Sequence, residues 1–374
     1  MKIKEGVVDW FIRNLLVPNQ EVIDKPGFII NKVSGKGKLT YLRDIVFPEL
    51  LFEKIENKTF ERYGESGLKK LYSAGKKFGL YYHTISNSPI LQKEDTQIKN
   101  YVYFFVRYLE ATGYGIGLTH EVDMDKKILK IKADEFIVCR HNGKNYIVGS
   151  GGGAGLWAGL TGDSNVEGVQ TSCVGRGDDC CDIIYAPRSV LKEMGIPFFE
   201  CNYKPDVKFS DSYMRMNEIR KTEFVKESLK SYIDFGLLKY RDGRLYLGDT
   251  FLYLCDANIN GFIENELDRE LLFSASREAG LEISKNIKSL DINQICSFLG
   301  ACGWGDVLIF RRGELIEVNV KYAPWSEILE TTNMAILSGY ISGFLSYIYG
   351  DVKLRKIKKS TRLGFYEINF EWSL

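Results

Sequence analysis

Histidine and proline are scarce, with three of the first and eight of the second among 374 residues. His83, His120 and His141 stand in no His-Glu-x-x-His or triad-like setting, so hydrolytic and metalloprotease chemistry loses most of its apparatus. An excess of one charge is also missing. Lys plus Arg number 50 and Asp plus Glu 49, a formal net charge of +1, so no overall field draws the chain onto nucleic acid or an anionic membrane. Glu5, Asp9 and Arg13 interrupt any apolar run long enough for a signal peptide, and a cytoplasmic protein is expected. The uncharged run 331–350 has the length of a membrane span. It is full of Ser, Thr, Gly and Tyr and closely bounded by Glu330 and Asp351, so a buried small-residue helix is expected and no span. The eight cysteines show no secretory spacing, and reduced thiols are the default. The glycine run Gly149–Gly155 lacks the Gly-Lys-Ser/Thr ending of a phosphate loop, and no GxGxxG unit is present, which argues against nucleotide binding.

What the chain does have is aromatic content, 22 Tyr and 22 Phe, and an internal repeat. YLEATGYG (108–115) matches FLGACGWG (298–305), with Gly113 against Gly303 and Tyr114 against Trp304. Upstream, 28–57 parallels 237–265, both ending in Ile-Glu-Asn. Downstream, AGLWAGLTGD (154–163) parallels SGFLSYIYGD (342–351). Three matches in one order describe a duplication. Residues 1–198 form the first repeat, 199–215 a linker without clean periodicity, and 216–374 a second, degenerate repeat.

Each copy reads as a helix (5–16; 217–234), a hairpin marked in the second copy by Asp242-Gly243, a helical stretch (64–83; 265–288) and a second amphipathic helix. Ile98, Val102, Phe105, Val106 and Leu109 share one face of that helix in the first copy. Ile292, Ile295, Cys296 and Leu299 do so in the second. Strands follow: Ile316, Val318 and Val320 alternate with Glu317 and Asn319, as in a sheet with one wet face. A small-residue helix (147–161; 334–349) and two terminal strands complete the unit. The expected class is α+β, two tandem repeats, each a mainly antiparallel sheet packed with helices.

The segment GSGGGAGLWAGLTGDSNVEGVQTSCVGRGDDCCDIIYAP (149–187) resembles the 4-vinyl reductase domain family, a predicted hydrocarbon-binding family. The family hallmark is a glycine-rich helix, a strand, Glu-x-x-Cys, a Gly-containing turn and a second Cys eight residues on. Cys173, Gly175, Gly177 and Cys181 match. Gln170 stands at the carboxylate position and Ile147 at the upstream cysteine position. The second copy carries Lys358, Thr361 and Asn369 instead. The resemblance implies zinc in the first repeat, held by Cys173 and Cys181; Cys180 is the candidate third thiolate, and Cys139 or Cys201 could reach the fourth place. The alternative is a decayed site whose cysteines remain as small buried hydrophobes.

The resemblance also implies a small apolar or aromatic ligand around the glycine-rich helix. Gly155 and Gly159 remove volume from one face of it, Trp157 lies beside that gap, and Tyr81, Phe105 and Tyr114 are candidate neighbours; core packing would give Trp157 the same sequence signature. The expected function is a cytoplasmic binding or sensing protein, uncertain as an enzyme and more a binder than a catalyst. Alternatives are a reductase or accessory acting on a tetrapyrrole-like substrate, or a non-catalytic dimerising scaffold. A signal would pass to a protein partner, and homo-oligomerisation stays open. Residues 217–247 also fit a winged helix, but their bases are balanced by acids and no nucleic-acid partner is expected.

Overall fold

The repeat of motifs is a repeat of elements. The computed structural model describes residues 20–372 except 36–37, 92–97, 140–145, 204–209, 242–243, 288, 330–331, 361 and 363. The helix expected at 5–16, the Asp242-Gly243 turn, His141 and Thr361 lie outside the described residues. The first half runs β1 (Gln20–Lys25), β2 (Phe28–Gly35), β3 (Lys38–Pro48), α1 (Glu49–Tyr63), α2 (Glu65–Ile85), α3 (Ile98–Ala111), β4 (Gly115–Ile116), β5 (Thr119–Asp123), β6 (Ile128–Ala133), β7 (Glu135–Phe136), α4 (Ile147–Thr161), β8 (Val166–Ser172), β9 (Cys181–Pro187) and α5 (Arg188–Glu193). After the short α6 (Asp211–Met216) and α7 (Leu229–Asp234), the order recurs. It runs β10 (Lys239–Arg241), β11 (Arg244–Leu247), β12 (Thr250–Asp256), α8 (Ile259–Glu266), α9 (Arg269–Ser284), α10 (Ile292–Ala301), β13 (Asp306–Arg312), β14 (Leu315–Lys321), α11 (Ala335–Tyr349), β15 (Val352–Lys359) and β16 (Tyr366–Trp372).

Strand order repeats as well. One four-stranded sheet is β5-β6-β9-β8 and the other β13-β14-β16-β15, so corresponding strands occupy corresponding places. The α+β class with two similar halves is what the fold shows. Ile316, Val318 and Val320 are buried, as their alternation predicts. No helix among the described residues is long and apolar enough to cross a membrane.

Three expectations on helices need correction. A helix α1 precedes the stretch predicted at 64–83, and the break between α1 and α2 falls at Gly64, whose φ of 58 suits glycine. The helix predicted at 265–288 is two, α8 and α9, broken at Leu267 and Asp268. The helix predicted over 217–234 survives only as α7. The Asp306 carboxylate accepts the backbone N–H groups of Glu223, Phe224 and Val225, which holds that stretch in a turn, and helix resumes after a capping box at Ser228 and Ser231.

The two halves meet in one six-stranded antiparallel sheet, β1-β2-β3-β12-β11-β10. Val46 of β3 opposes Leu254 of β12. The Ile-Glu-Asn match pairs the same two residues across the repeats, so the pseudo-twofold axis passes between them. Contacts beside the axis obey it: Leu254 N–H donates to Thr112 O at 3.0 Å, and Val46 N–H donates to Cys302 O at 2.8 Å. Gly113 and Gly303, at φ 87 and 83, follow α3 and α10 and turn each helix end onto the other half's strand.

Inside each half the glycine-rich helix lies against the long helix at backbone contact. A Cβ on Gly151 would sit 2.3 Å from Tyr72 O and one on Gly155 2.1 Å from Lys76 O; on Gly339 and Gly343 it would sit 2.4 Å from Phe273 O and 2.3 Å from Arg277 O. Gly151 and Gly155 therefore correspond to Gly339 and Gly343. The repeated Ile-Glu-Asn supplies the cap. Glu56 accepts the N–H groups of Ile147 and Val148 at the start of α4, and Glu264 those of Asn333, Met334 and Ile336 at the start of α11. Each carboxylate satisfies amides that a helix start leaves without partners.

Gly155→Ala should cost about 1–3 kcal/mol, because neither backbone can withdraw. At Gly152 a Cβ meets nothing closer than 3.9 Å. Gly152→Ala should be neutral or stabilising by up to about 1 kcal/mol, since alanine is the better helix former. Urea unfolding of both variants measures the difference.

Candidate functional site

Beside Gly152 lies a cavity of about 100 Å³. Its walls come from both halves. α2 brings Phe78, Gly79 and Tyr82; α3 brings Phe105, Tyr108 and Leu109; Tyr114 enters from the turn before β4. Tyr146 and the α4 residues Val148, Gly149, Gly152, Gly153 and Leu156 form the helix wall, and Ile131, Phe136, Ile183 and Tyr185 the sheet side. Leu254, Cys255 and Asp256 of β12 and Ile259 of α8 close it from the second half. Absent side chains on α4 make the space, and aromatic rings surround it.

In the second half, side chains take the corresponding place. Tyr340 occupies the place of Gly152, one residue after Gly339, and Trp304 that of Tyr114. Their rings stack at 4.9 Å and 26°, with Phe344 against Tyr340 at 4.9 Å. All three are buried.

One end of the cavity is acidic. Asp256 Oδ1 accepts Asn258 N–H and Nδ2–H, both at 2.8 Å. Burial pushes this carboxyl up to about 7. Asp44 opposes it in the β3–β12 register and is held well above the usual carboxylate range by burial first and the Asp256 charge second. Tyr108, which accepts Asn31 Nδ2–H at 2.9 Å, and Tyr82 lie beside the pair.

A cluster of thiols forms a second centre. The Sγ atoms of Cys139, Cys173 and Cys181 lie within 4.8 Å of one another, all buried. Cys173 follows β8, Cys181 opens β9, and between them a 3-10 turn, Val174–Arg176, ends at Gly177 with φ 91. Hydrogen bonds to Cys173 and Cys181, then burial, hold the Cys139 thiol far above its ordinary value. Gln170 Nε2 donates to Cys139 Sγ at 3.1 Å, and its Oε1 accepts Tyr146 N–H at 2.8 Å. Three soft donors at this spacing fit three corners of a zinc tetrahedron. Cys180 does not join them: its Sγ points to Asp182 Oδ2 at 3.5 Å. Cys201 is also elsewhere, beside Ser73 Oγ at 3.4 Å.

Of the predicted ligand residues, Phe105 and Tyr114 line the cavity. Gly155 is used by helix contact, and Gly159 makes room for the His83 ring. Tyr81 turns to Tyr213 and Asn258. Trp157 is buried, donates its indole N–H to Lys127 O at 2.8 Å, and borders a separate void of only about 10 Å³. Of the two cysteines offered for the remaining place, Cys139 is the one beside the matched pair; sequence reasoning missed Gly152, Asp256 and the other wall residues from β12 and α8. The signal for Asp256 is an isolated acid at the end of the apolar run Phe251–Cys255.

No protein-family model matches the chain, and no curated protein matches it in sequence. Among solved structures, the phenol-responsive sensory domain of the transcription activator PoxR, determined with phenol, is similar over 54% of this chain and 98% of that one, at 12% identity and a TM-score of 0.36. Likeness of that extent assigns no ligand here. The resemblance to the 4-vinyl reductase family rests on residues 149–187 themselves.

Glu264, like Asp256, is pushed up to about 7 by burial, from ordinary values of 4.5 and 3.8. Between those values and 7 the folded chain binds more protons than the unfolded one, so stability falls as pH rises. Calorimetric unfolding should give a midpoint that drops from about pH 5 to about pH 8, and Asp256→Asn should make that slope shallower.

Proposed function

We propose that this is a small-molecule-binding protein whose ligand occupies the cavity between the first half and β12 and α8 of the second. The observation that carries this reading is the contrast between halves. One fold, built twice, is filled by Tyr340 and Trp304 in one copy and left open by Gly152 and Tyr114 in the other. An unfilled cavity forfeits packing energy, so an open one beside a filled homologue is explained by an occupant. The size supports a ligand of about one ring, since apolar cavities near 150 Å³ take benzene; a four-ring tetrapyrrole is a poorer fit. Sensing would then mean a ligand bound across the junction of the halves.

The test installs the second half's solution in the first. Native mass spectrometry of freshly purified protein should show a bound organic mass that is lost in Gly152→Tyr, with unfolding temperature unchanged or raised. Absence of any bound mass in the wild type, with Gly152→Tyr less stable, would count against the cavity as a binding site.

We further propose zinc at Cys139, Cys173 and Cys181, where it would replace the protons that the buried thiols otherwise keep and tie the start of β9 to the end of β8. Elemental analysis should give about one zinc per chain, lost in Cys139→Ser and kept in Cys180→Ser. Retention of zinc by Cys139→Ser would refute this ligand set.

A further inference from the structure

The polar end of the cavity carries acid and no base. Asp256 is 5% exposed and lines the cavity, yet its Oδ2 has no hydrogen-bond partner; Asp44 is 1% exposed and neither of its oxygens has one. Opposed residues of an antiparallel ladder project to one face, so Asp44 stands beside Asp256, which alone of the two lines the cavity. Arg43 does not serve them: its guanidinium reaches Gly27 O at 2.7 Å and Gly303 O at 3.3 Å and lies over the Phe28 ring. Among the described residues no lysine or arginine acts on either carboxyl. A buried carboxyl without a partner is costly. Across the pseudo-twofold axis the corresponding pair is Pro48 and Leu252, so the acids accompany the open half alone.

We propose that the cavity's ligand is an organic cation, an aromatic body of about one ring carrying a protonated amine that donates to Asp256, with the Asp44 carboxyl beside it. This rests on the cavity being the ligand site. An ammonium group brings three donors and the missing positive charge, and the faces of Tyr82, Tyr108 and Tyr114 suit a cation that a hydrocarbon pocket would reject. A neutral hydrocarbon leaves the carboxyls as they are. Charge balances for a monocation: Asp256, titrating near 7, supplies one negative charge, while burial disfavours a second on Asp44. The titratable groups facing Asp256 are Asp44 from β3, Tyr81 and Tyr82 from α2, Tyr108 from α3, Tyr213 from α6 and Cys255 from its own strand. All are acids, so the pH dependence of binding belongs to the carboxyl pair.

Three probes of one size separate the readings: benzylamine, benzyl alcohol and toluene, titrated calorimetrically into the full chain. Benzylamine should bind at least about tenfold tighter than the other two at about pH 8. Its affinity should rise roughly tenfold from about pH 6 to about pH 8, as a group titrating near 7 passes from about one-tenth to about nine-tenths ionised. Asp256→Asn should weaken benzylamine at least about tenfold, abolish that pH dependence and spare toluene, whose binding shows that the variant is folded. Should the variant not fold, the ranking and pH dependence in the wild type decide alone. Toluene or benzyl alcohol binding as tightly as benzylamine overturns the cation and leaves the cavity as a ligand site. Silence from all three probes overturns both.

Discussion

From Asp44 to Pro48 on β3, and from Leu252 to Asp256 on β12, five opposed pairs hold the two halves in one sheet. Without that ladder each half would present a bare strand edge. The ends of α3 and α10 would lose the backbone amides of Leu254 and Val46 that their last carbonyls accept. The cavity would lose the wall that β12 and α8 provide. One apolar core runs through both halves for the same reason. The junction is therefore both the structural centre of the chain and one wall of the cavity.

Pseudo-symmetry makes the differences between halves readable as choices at single positions. Gly152 against Tyr340 and Tyr114 against Trp304 decide whether the space beside the glycine-rich helix is open or filled. Asp44 with Asp256 against Pro48 with Leu252 decides whether acids or apolar residues stand at the corresponding place of the β3–β12 ladder. In the filled half Trp304 stacks on Tyr340 and Phe344 meets Tyr340 edge-on, all three buried, so the packing forgone in the open half is made here.

The repeat was legible because it rests on residues that cannot be exchanged. Glycines four apart mark a helix face at backbone contact, Gly113 and Gly303 sit at positive φ, and the glutamate of Ile-Glu-Asn caps a distant helix. Alternation on β14 and the apolar faces of α3 and α10 were legible through periodicity. α1 was hidden because Leu50, Leu51, Phe52 and Ile55 continue the apolar run of β3, and length alone does not separate a strand from a helix there. The shared sheet is a long-range pairing with no local mark. Cys139 lies 34 residues before Cys173 without a motif to join them, and only the fold brings the thiols together. Trp157 shows the converse: a large aromatic on the glycine-rich helix marked the right element, but its side chain bonds Lys127 O and borders a small separate void, not the main cavity.

The two glutamate caps also bear on the cost of assembling the chain. The N-cap residues of α4 and α11 are Tyr146 and Met334, neither of which caps with its own side chain. α4 contains Gly149, Gly151, Gly152, Gly153, Gly155 and Gly159, a composition that resists helix nucleation. Its first amides wait for Glu56, 91 residues upstream, and those of α11 for Glu264, 72 residues upstream of Ile336. Closing such loops costs entropy before any packing is gained. Contacts so distant in sequence raise the contact order of the chain, the property that slows folding in β-proteins, despite its many helices.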